Sequence, residues 1–372
     1  MQKKILFIFI IILTFSTCTS AAPIRGLWVT RFALKDYNEI SNIISTAKSL
    51  CITDLYVQVR ALGQMYGQNG TDPEDSPFGL LVKSAQNEKI RVHAWINVLY
   101  IWAGNSPPQD DHHIYYKALN SLVRSSFLVQ IPNYKMLKKQ GIEGFFIDPG
   151  DQQNLLDIKF LISDLIQKYR VDGIHLDYLR YPSFDYSFSP NGRTKFFREY
   201  WFDPVDMFKF ENDTLSSEIL EKYKYASGTY KSFLRQQVTD LLIDLKEYIQ
   251  QFNKRIELSV AVKPDREIAY NYYFQDWGDW LTNNICDRVV MMNYDTVTTN
   301  FINNLKTDLD EKYQEKIVVG ISTYNQDFKA VQDRINITMN MGTAGYAIFS
   351  YNYLWEHQSY LRRLKSNLVR RK

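Results

Sequence analysis

The chain has 372 residues, of which 45% are hydrophobic and 23% are charged, which is ordinary for a soluble protein with one large fold or two smaller ones. Its formal net charge of +3 is spread along the chain, so the composition gives no indication of a nucleic-acid partner. Aromatic residues make up 15% of the chain. Their rings stack well on sugar faces, although they also fill protein cores.

The first 22 residues have the pattern of a secretory signal peptide. Two lysines precede an apolar run from Ile5 to Leu13, small residues follow, and the run is too short to span a membrane. We therefore expect a secreted, periplasmic or envelope-associated protein whose remaining residues, 23–372, form a single domain. Cys18 offers an alternative, because a lipid attached to this residue would anchor the chain to a membrane.

Beyond this segment, short apolar stretches alternate with stretches of helical periodicity. From Tyr37 to Leu50, for example, apolar residues recur at helical spacing, and the next strand-like stretch begins at Asp54. This rhythm is typical of parallel strands joined by crossover helices. Nine stretches are strand-like, centred on Gly26, Leu55, Val92, Phe146, Ile174, Leu258, Val290, Val318 and Ala347.

Eight parallel strands close a (β/α)8 TIM barrel, so one of the nine candidates has to lie outside it. The stretch from Phe145 to Asp148 is short and ends a long irregular segment, and we place it in an extended loop above the third strand. The predicted fold is therefore an α/β TIM barrel with long insertions after strands 3 and 4.

The fourth strand of this barrel carries ionisable residues on one face. Asp172 and Gly173 supply a turn, and in the strand that follows His175 and Asp177 share one side. In such barrels the loops at the carboxyl ends of the strands converge on one mouth, where the chemistry takes place. Asp177 is therefore predicted to lie at the mouth, with His175 one pleat deeper.

Other polar residues at predicted strand ends suggest acid/base chemistry on a neutral substrate. We predict Asp177 and Asp295 as a catalytic pair, since cleavage of a glycosidic bond typically needs two carboxyl groups, with Asp148 and Asp265 in reserve. The five histidines are scattered and no Gly-rich phosphate loop is present, so we predict neither a metal site nor a cofactor. The predicted substrate-binding residues are Arg60, Asn97, Trp102, His175, Arg180, Lys263, Tyr294 and Trp355.

Several motifs resemble the bacterial glycosyl-hydrolase-like family 10 domain, in the family's order and from about Ile24 to about Trp355. They are Arg25-Gly26-Leu27-Trp28, Val57-Gln58-Val59-Arg60, His93-Ala94-Trp95, Asp148-Pro149-Gly150, Asp172-Gly173-Ile174-His175-Leu176-Asp177-Tyr178 with Arg180-Tyr181-Pro182, and Asp276-Trp277 with Trp280. The resemblance implies a (β/α)8 barrel, export to the cell envelope, and hydrolysis of a polysaccharide such as a bacterial cell-wall or other envelope glycan.

The sequence departs from this family at one position in the fourth-strand motif. The family usually has a second acid after the aspartate that matches Asp177, whereas this chain has Tyr178. Two interpretations follow. The protein is a glycoside hydrolase in which Asp177 finds its partner elsewhere on the rim, or it is a catalytically silent barrel that binds an envelope glycan or acts as a scaffold.

Overall fold

A computed structural model describes residues 22–68, 72–119, 126–129, 143–210, 217–252, 255–308 and 313–369. The predicted signal peptide, including Cys18, lies outside the described residues except for its last position. Of the helices in these ranges, none combines the length and the apolar character needed to cross a membrane.

Within the described residues, eight parallel strands form a closed barrel. In chain order they are β1 Ile24–Val29, β2 Asp54–Ala61, β3 Arg91–Asn97, β4 Gly173–Asp177, β5 Glu257–Val262, β6 Arg288–Met292, β7 Ile317–Ser322 and β8 Gly345–Phe349. Each strand pairs with the next, and β1 pairs with both β2 and β8, which closes the ring. The predicted fold is confirmed, including the position of the ionisable strand as the fourth.

The extra strand-like stretch of the sequence forms a short strand outside the barrel. Phe145–Phe146 pairs antiparallel with Tyr100–Trp102, directly after β3, as the strand count required. A further short strand, Gln64–Met65, pairs antiparallel with the end of β2. The first pair lies beyond the carboxyl end of β3 and the second at the carboxyl end of β2, so both build up the mouth.

Helices connect the strands, and several of them are capped at the amino end by a side chain. The α-helices are Tyr37–Ser49, Pro77–Asn87, Ile114–Leu119, Gln152–Gln167, Pro190–Tyr200, Ser217–Gln250, Arg266–Ile268, Trp277–Thr282, Thr298–Asp308, Phe328–Asn340, Tyr351–Glu356 and Gln358–Val369. Shorter 3₁₀ segments (Arg31–Ala33, Pro73–Asp75, Pro204–Phe210, Gln314–Lys316) and a π segment (Ala269–Tyr273) complete the set. The carboxylates of Asp36, Asp151 and Asp327, for example, each accept a hydrogen bond from a first-turn N–H.

The barrel interior is filled by aromatic and imidazole rings. The side chains that pack there are Trp28, Tyr56, His93 and His175, whose tilted rings have centroids 4.7 to 6.0 Å apart. Glycines on β4 and β7 make room for them. A methyl group at Gly173 would lie 2.1 Å from Nδ1 of His93, and one at Gly320 would lie 2.8 Å from the Trp28 ring. The interior is therefore a packed core rather than a channel.

A network of ion pairs closes the amino-terminal end of the barrel. Asp54 accepts from Nε2 of His93 at 2.8 Å and pairs with Arg91 at 2.5 Å. Arg91 also pairs with Glu257, at 2.8 Å, and Glu257 pairs with Arg288 at 3.1 Å. Because the network joins residues of β2, β3, β5 and β6, it holds the strand ends together on the side opposite the mouth.

The two long insertions contact each other above the barrel. Val129 in the first forms an antiparallel bridge with Phe188 in the second. The Ser189 hydroxyl donates to the buried Asp148 carboxyl at 2.6 Å, and the same carboxyl accepts from the Gly150 N–H at 2.8 Å. The segment after β3 is thereby fixed against the segment after β4, next to the mouth.

Candidate functional site

A cavity of about 600 Å³ opens at the carboxyl ends of the strands. It is lined by side chains from strand ends and from the loops that follow them. The lining residues are Trp28, Thr30, Arg31, Phe32, Gln58, Leu62, Trp95, Asn97, Tyr100, Ala103, Glu143, Asp177, Tyr178, Arg180, Ala261, Lys263, Met292, Tyr294, Tyr324 and Phe349. Of the predicted site residues, the structure brings Asn97, Asp177, Arg180, Lys263 and Tyr294 together here.

One half of the cavity is polar. Gln58, Asn97, Asp177 and Lys263 come from the consecutive strands β2, β3, β4 and β5 or their ends, and Asn97 is the register partner of Asp177. Nε2 of Gln58 lies 3.4 Å from Oδ1 of Asn97, within reach of a long hydrogen bond. Neighbouring parallel strands end side by side, so these groups form a continuous polar wall.

The other half is aromatic and comes from β6, β7, β8 and β1. Phe349 lies at its centre, 5.5 Å from Tyr294, 5.8 Å from Trp28 and 6.2 Å from Tyr324 between ring centroids. Tyr324 and Phe32 stand at the rim with 52% and 62% of their surface exposed. A flat, half-apolar ligand such as a pyranose ring could lie on this wall with its polar edge toward β2–β5.

Asp177 is held by two neutral hydrogen-bond donors. Its Oδ1 accepts from the Tyr178 N–H at 2.7 Å, and its Oδ2 accepts from Nε1 of Trp95 at 3.1 Å. The residue is only 7% exposed. Burial raises the pKa of the Asp177 carboxyl, and the two donors and the nearby charges of Arg180 and Lys263 offset this only in part. A raised pKa favours the protonated form, in which a carboxyl group can act as a proton donor.

Tyr178 adopts a left-handed backbone conformation with φ of +53°. For a bulky side chain this conformation is strained, and such strain clusters at functional sites. The ring stacks on Tyr100 with centroids 4.6 Å apart. The strained turn presents the Tyr178 N–H to Asp177, so Tyr178 helps to orient the neighbouring carboxyl group.

Glu143 brings a second carboxylate to the cavity. It forms an ion pair with NH2 of Arg180, with 2.6 Å between Oε1 and the nitrogen. The Arg180 guanidinium is itself enclosed by rings, 4.9 Å from the centroids of Tyr178 and Tyr273. Sequence reasoning missed Glu143 because it lies in the insertion after β3, where no strand or helix periodicity marks which residues point inward.

Lys263 completes the polar wall beside Arg180. Its Nζ lies 4.6 Å from the Tyr273 ring centroid. Burial lowers the pKa of the Lys263 ammonium, and the nearby Arg180 charge lowers it further, while Glu143 and Asp177 oppose the shift. The ammonium is therefore a donor suited to a sugar hydroxyl or an anionic group.

Trp95 is a second residue that sequence reasoning did not assign to the site. It lies two residues before Asn97 on β3, so both side chains point to the same side of the strand. The alternation of side chains along β3 could therefore have identified Trp95 as a site residue. Phe32 and Phe349, by contrast, were not distinguishable from the many core aromatics of the chain.

Arg60 and His175 lie beneath the cavity rather than in its wall. The Arg60 guanidinium donates to the carbonyl of Asn97 and, at 2.8 Å, to Oδ1 of Asn154, and burial lowers the pKa of Arg60 to about 10. His175 accepts from Nε1 of Trp28 at 3.3 Å, which leaves its Nδ1–H to donate to Ser259 at 2.9 Å. Burial lowers the pKa of His175 well below its usual value, so it is neutral. Both residues support side chains that line the cavity.

The three other predicted carboxylates do not line this cavity. Asp295 accepts from the N–H of Val297 at 2.8 Å in the loop after β6. Asp265 caps the Arg266–Ile268 helix, and Asp148 is buried between the two insertions. Each has a local hydrogen-bonding role, and none is brought to Asp177.

The two predicted stacking tryptophans are also outside the cavity lining. Trp102 donates from Nε1 to the Ser106 carbonyl at 2.8 Å. Trp355 stacks on Tyr351 in the helix after β8, with centroids 6.0 Å apart. The aromatic surface that faces Asp177 is formed instead by the wall around Phe349.

Comparison with known proteins gives this architecture a family. The glycosyl hydrolase-like 10 model matches residues 23–340. The glycosyl hydrolase DigH of Escherichia coli (strain K12) is 23% identical over 279 residues, which cover 66% of this chain and 56% of that protein. The chain thus spans little more than half the length of this curated relative.

Solved structures show the same fold at low sequence identity. The glycoside hydrolase domain of PgaB (BpsB) from Bordetella bronchiseptica is 12% identical, with a TM-score of 0.68 over 92% of this chain and 98% of that one. A beta-galactosidase from Bacillus circulans sp. alkalophilus is 12% identical, with a TM-score of 0.55 over 88% of this chain and 50% of that one. Since the family model covers most of residues 23–372, the chain belongs to the glycosyl hydrolase-like 10 family.

Proposed function

We propose that this protein is an exported glycoside hydrolase that cleaves O-glycosidic bonds in a polysaccharide, such as a bacterial cell-wall or other envelope glycan. The observation that carries the proposal is the state of Asp177. Its carboxyl group is buried at the barrel mouth, has a raised pKa and is oriented by two neutral donors. These are the properties of a general acid that protonates a leaving oxygen.

The division of the cavity into two walls supports the same function. A sugar ring that stacks on the aromatic wall would direct its hydroxyls and its glycosidic oxygen toward Asn97, Asp177 and Lys263. Asn97 and Lys263 would orient the hydroxyls, and the buried Arg180 would hold Glu143 at the polar wall. Family membership and the names of the similar proteins favour a glycan substrate, and the signal-peptide pattern favours a location outside the cytoplasm.

An Asp177→Asn variant tests the proposal. We expect reducing-sugar release from purified peptidoglycan strands or chitin oligosaccharides to fall about 10²–10⁴-fold, because the acid is lost, while binding of the same glycans is retained. Asp295→Asn is the matched comparison. It makes the same chemical change outside the cavity and is expected to keep most of the activity.

A catalytically silent glycan-binding barrel is the second candidate. The observation that favours it is Tyr178, which occupies the place of the family's second acid and lines the cavity. In that case the wild type would bind these glycans and release no reducing sugar from any of them, and the hydrolase proposal would be abandoned.

A further inference from the structure

We propose that Glu143 is the second catalytic group of this site, acting as the base that activates a water molecule. The inference rests on the hydrolase function proposed above and names the partner of Asp177. It replaces the predicted partner Asp295, whose carboxylate is occupied by the Val297 N–H outside the cavity.

The backbone around Glu143 is fixed next to the mouth. Two residues later, Phe145–Phe146 pairs with Tyr100–Trp102, the strand that directly follows β3. The Tyr100 hydroxyl donates to the Glu143 carbonyl at 3.2 Å. The pairing of the nearby strand therefore holds the Glu143 side chain at the polar wall.

The Glu143 carboxylate has one oxygen engaged and one open. Oε1 receives Arg180 at 2.6 Å, whereas Oε2 has no hydrogen-bond partner among the described residues. Its side chain is 38% exposed. Arg180 fixes the orientation of the carboxylate, and the open oxygen can accept a hydrogen bond from water.

Asp177 and Glu143 are the two carboxylates among the described residues that line the cavity. Direct displacement by water needs one carboxyl group that donates a proton and one carboxylate that accepts a proton, and the two groups differ in this sense. Asp177 is buried away from solvent and its pKa is raised, whereas Glu143 is open to water and paired with a cation. A buried acid suits the leaving group, and a water-accessible carboxylate suits the nucleophilic water.

The step balances with these two groups and one water molecule. The Glu143 carboxylate takes a proton from water as the water oxygen bonds to the anomeric carbon. The bond from that carbon to the glycosidic oxygen breaks, its electron pair goes to that oxygen, and the oxygen takes the proton of Asp177. Proton exchange with solvent then restores both groups. The product has inverted anomeric configuration.

A Glu143→Gln variant gives the first test. We expect reducing-sugar release from the glycan that the wild type cleaves to fall about 10²–10⁴-fold. Glu74→Gln is the matched control, since Glu74 is exposed in an ion pair with Lys83 and does not line the cavity. It is expected to keep wild-type activity.

Chemical rescue separates the base from a residue that only holds Arg180. In Glu143→Ala, sodium azide is expected to restore turnover and to yield a glycosyl azide of inverted configuration, because azide needs no base. With the wild type, nuclear magnetic resonance of the first-formed product should show inversion of the anomeric centre.

The outcomes distinguish this inference from the proposed function. If Asp177→Asn is inactive while Glu143→Gln keeps near wild-type rates, the hydrolase stands and Glu143 is not its base. Retention of configuration, or a Glu143→Ala variant that azide does not rescue, would also overturn the assignment. A wild type that cleaves none of the glycans overturns the hydrolase function and this inference with it.

Discussion

Two aspartates lie inside the same barrel, and the pKa values of their carboxyl groups are displaced in opposite directions. Burial favours the neutral form of both. At the amino-terminal end, the hydrogen bond and charge of His93 and the charge of Arg91 outweigh burial, and the pKa of Asp54 is lowered. At the mouth Asp177 has mainly neutral donors, burial prevails, and its pKa is raised. The difference separates a carboxylate that stabilises the fold from one poised for proton transfer.

The surroundings of the two groups explain the contrast. Asp54 contacts a cation directly, at 2.5 Å from Arg91, and its other oxygen accepts from the Thr53 hydroxyl at 2.5 Å. Near Asp177, the cation Arg180 is engaged by Glu143 and by aromatic rings. The Asp177 carboxyl group at the mouth is therefore only partly compensated by nearby positive charge.

The largest effect on stability is expected from breaking the amino-terminal pair. An Asp54→Asn variant removes the carboxylate that pairs with His93 and leaves Arg91 paired with Glu257 alone, so the free energy of unfolding should fall by about 1–3 kcal/mol. Urea denaturation followed by circular dichroism measures it. Asp177→Asn should destabilise the protein less than Asp54→Asn does, and equal losses would contradict the comparison.

A smaller effect is expected from Trp95→Phe, which removes one donor to Asp177. Loss of a hydrogen bond to the ionised form, worth about 1.5–3 kcal/mol, should raise the pKa of the Asp177 carboxyl further. The alkaline limb of kcat/KM, which reports the general acid, should move to higher pH by the same amount.

The control for this variant is Trp280→Phe. Trp280 donates from Nε1 to the buried Thr239 hydroxyl at 2.9 Å, between two helices, and does not line the cavity. The Trp280→Phe variant loses a comparable indole hydrogen bond, and the pH profile of its kcat/KM should match that of the wild type. A shift of equal size in both variants would show that packing, and not the contact with Asp177, sets the limb.

The smallest expected effect is the pH dependence of stability. Asp54 has a lowered pKa in the folded state, so its stabilisation is present above its ordinary pKa of about 3.9 and is lost as the pH falls through the folded value. For Asp177 the sign is opposite. Its raised pKa costs stability at higher pH, and this cost disappears as the pH falls to about 3.9.

The measurement is the stability difference between wild type and each Asn variant from pH 3 to pH 7. The advantage of the wild type over Asp54→Asn should shrink as the pH falls. Relative to Asp177→Asn, the wild type should improve over the same range. Parallel trends for the two variants would contradict the opposite displacement of the two pKa values.

Much of the barrel was predictable from the sequence. Alternating and helical patterns are local, so they located the eight strands, set Phe145–Phe146 apart and placed Asp177 at the end of β4. The same patterns placed Asn97 and Lys263 at neighbouring strand ends, where the structure finds them in the cavity wall.

The composition of the cavity beyond those strand ends depended on tertiary structure. Asp295 also follows a strand, yet its backbone turns so that its carboxylate caps its own loop, and Arg60 is drawn to carbonyls beneath the mouth. Glu143 reaches Arg180 from an insertion whose path is set by pairing with distant residues. The sequence by itself determined the barrel and one carboxyl group at its mouth, because strand periodicity is local. Only long-range packing decided which second carboxylate shares that mouth.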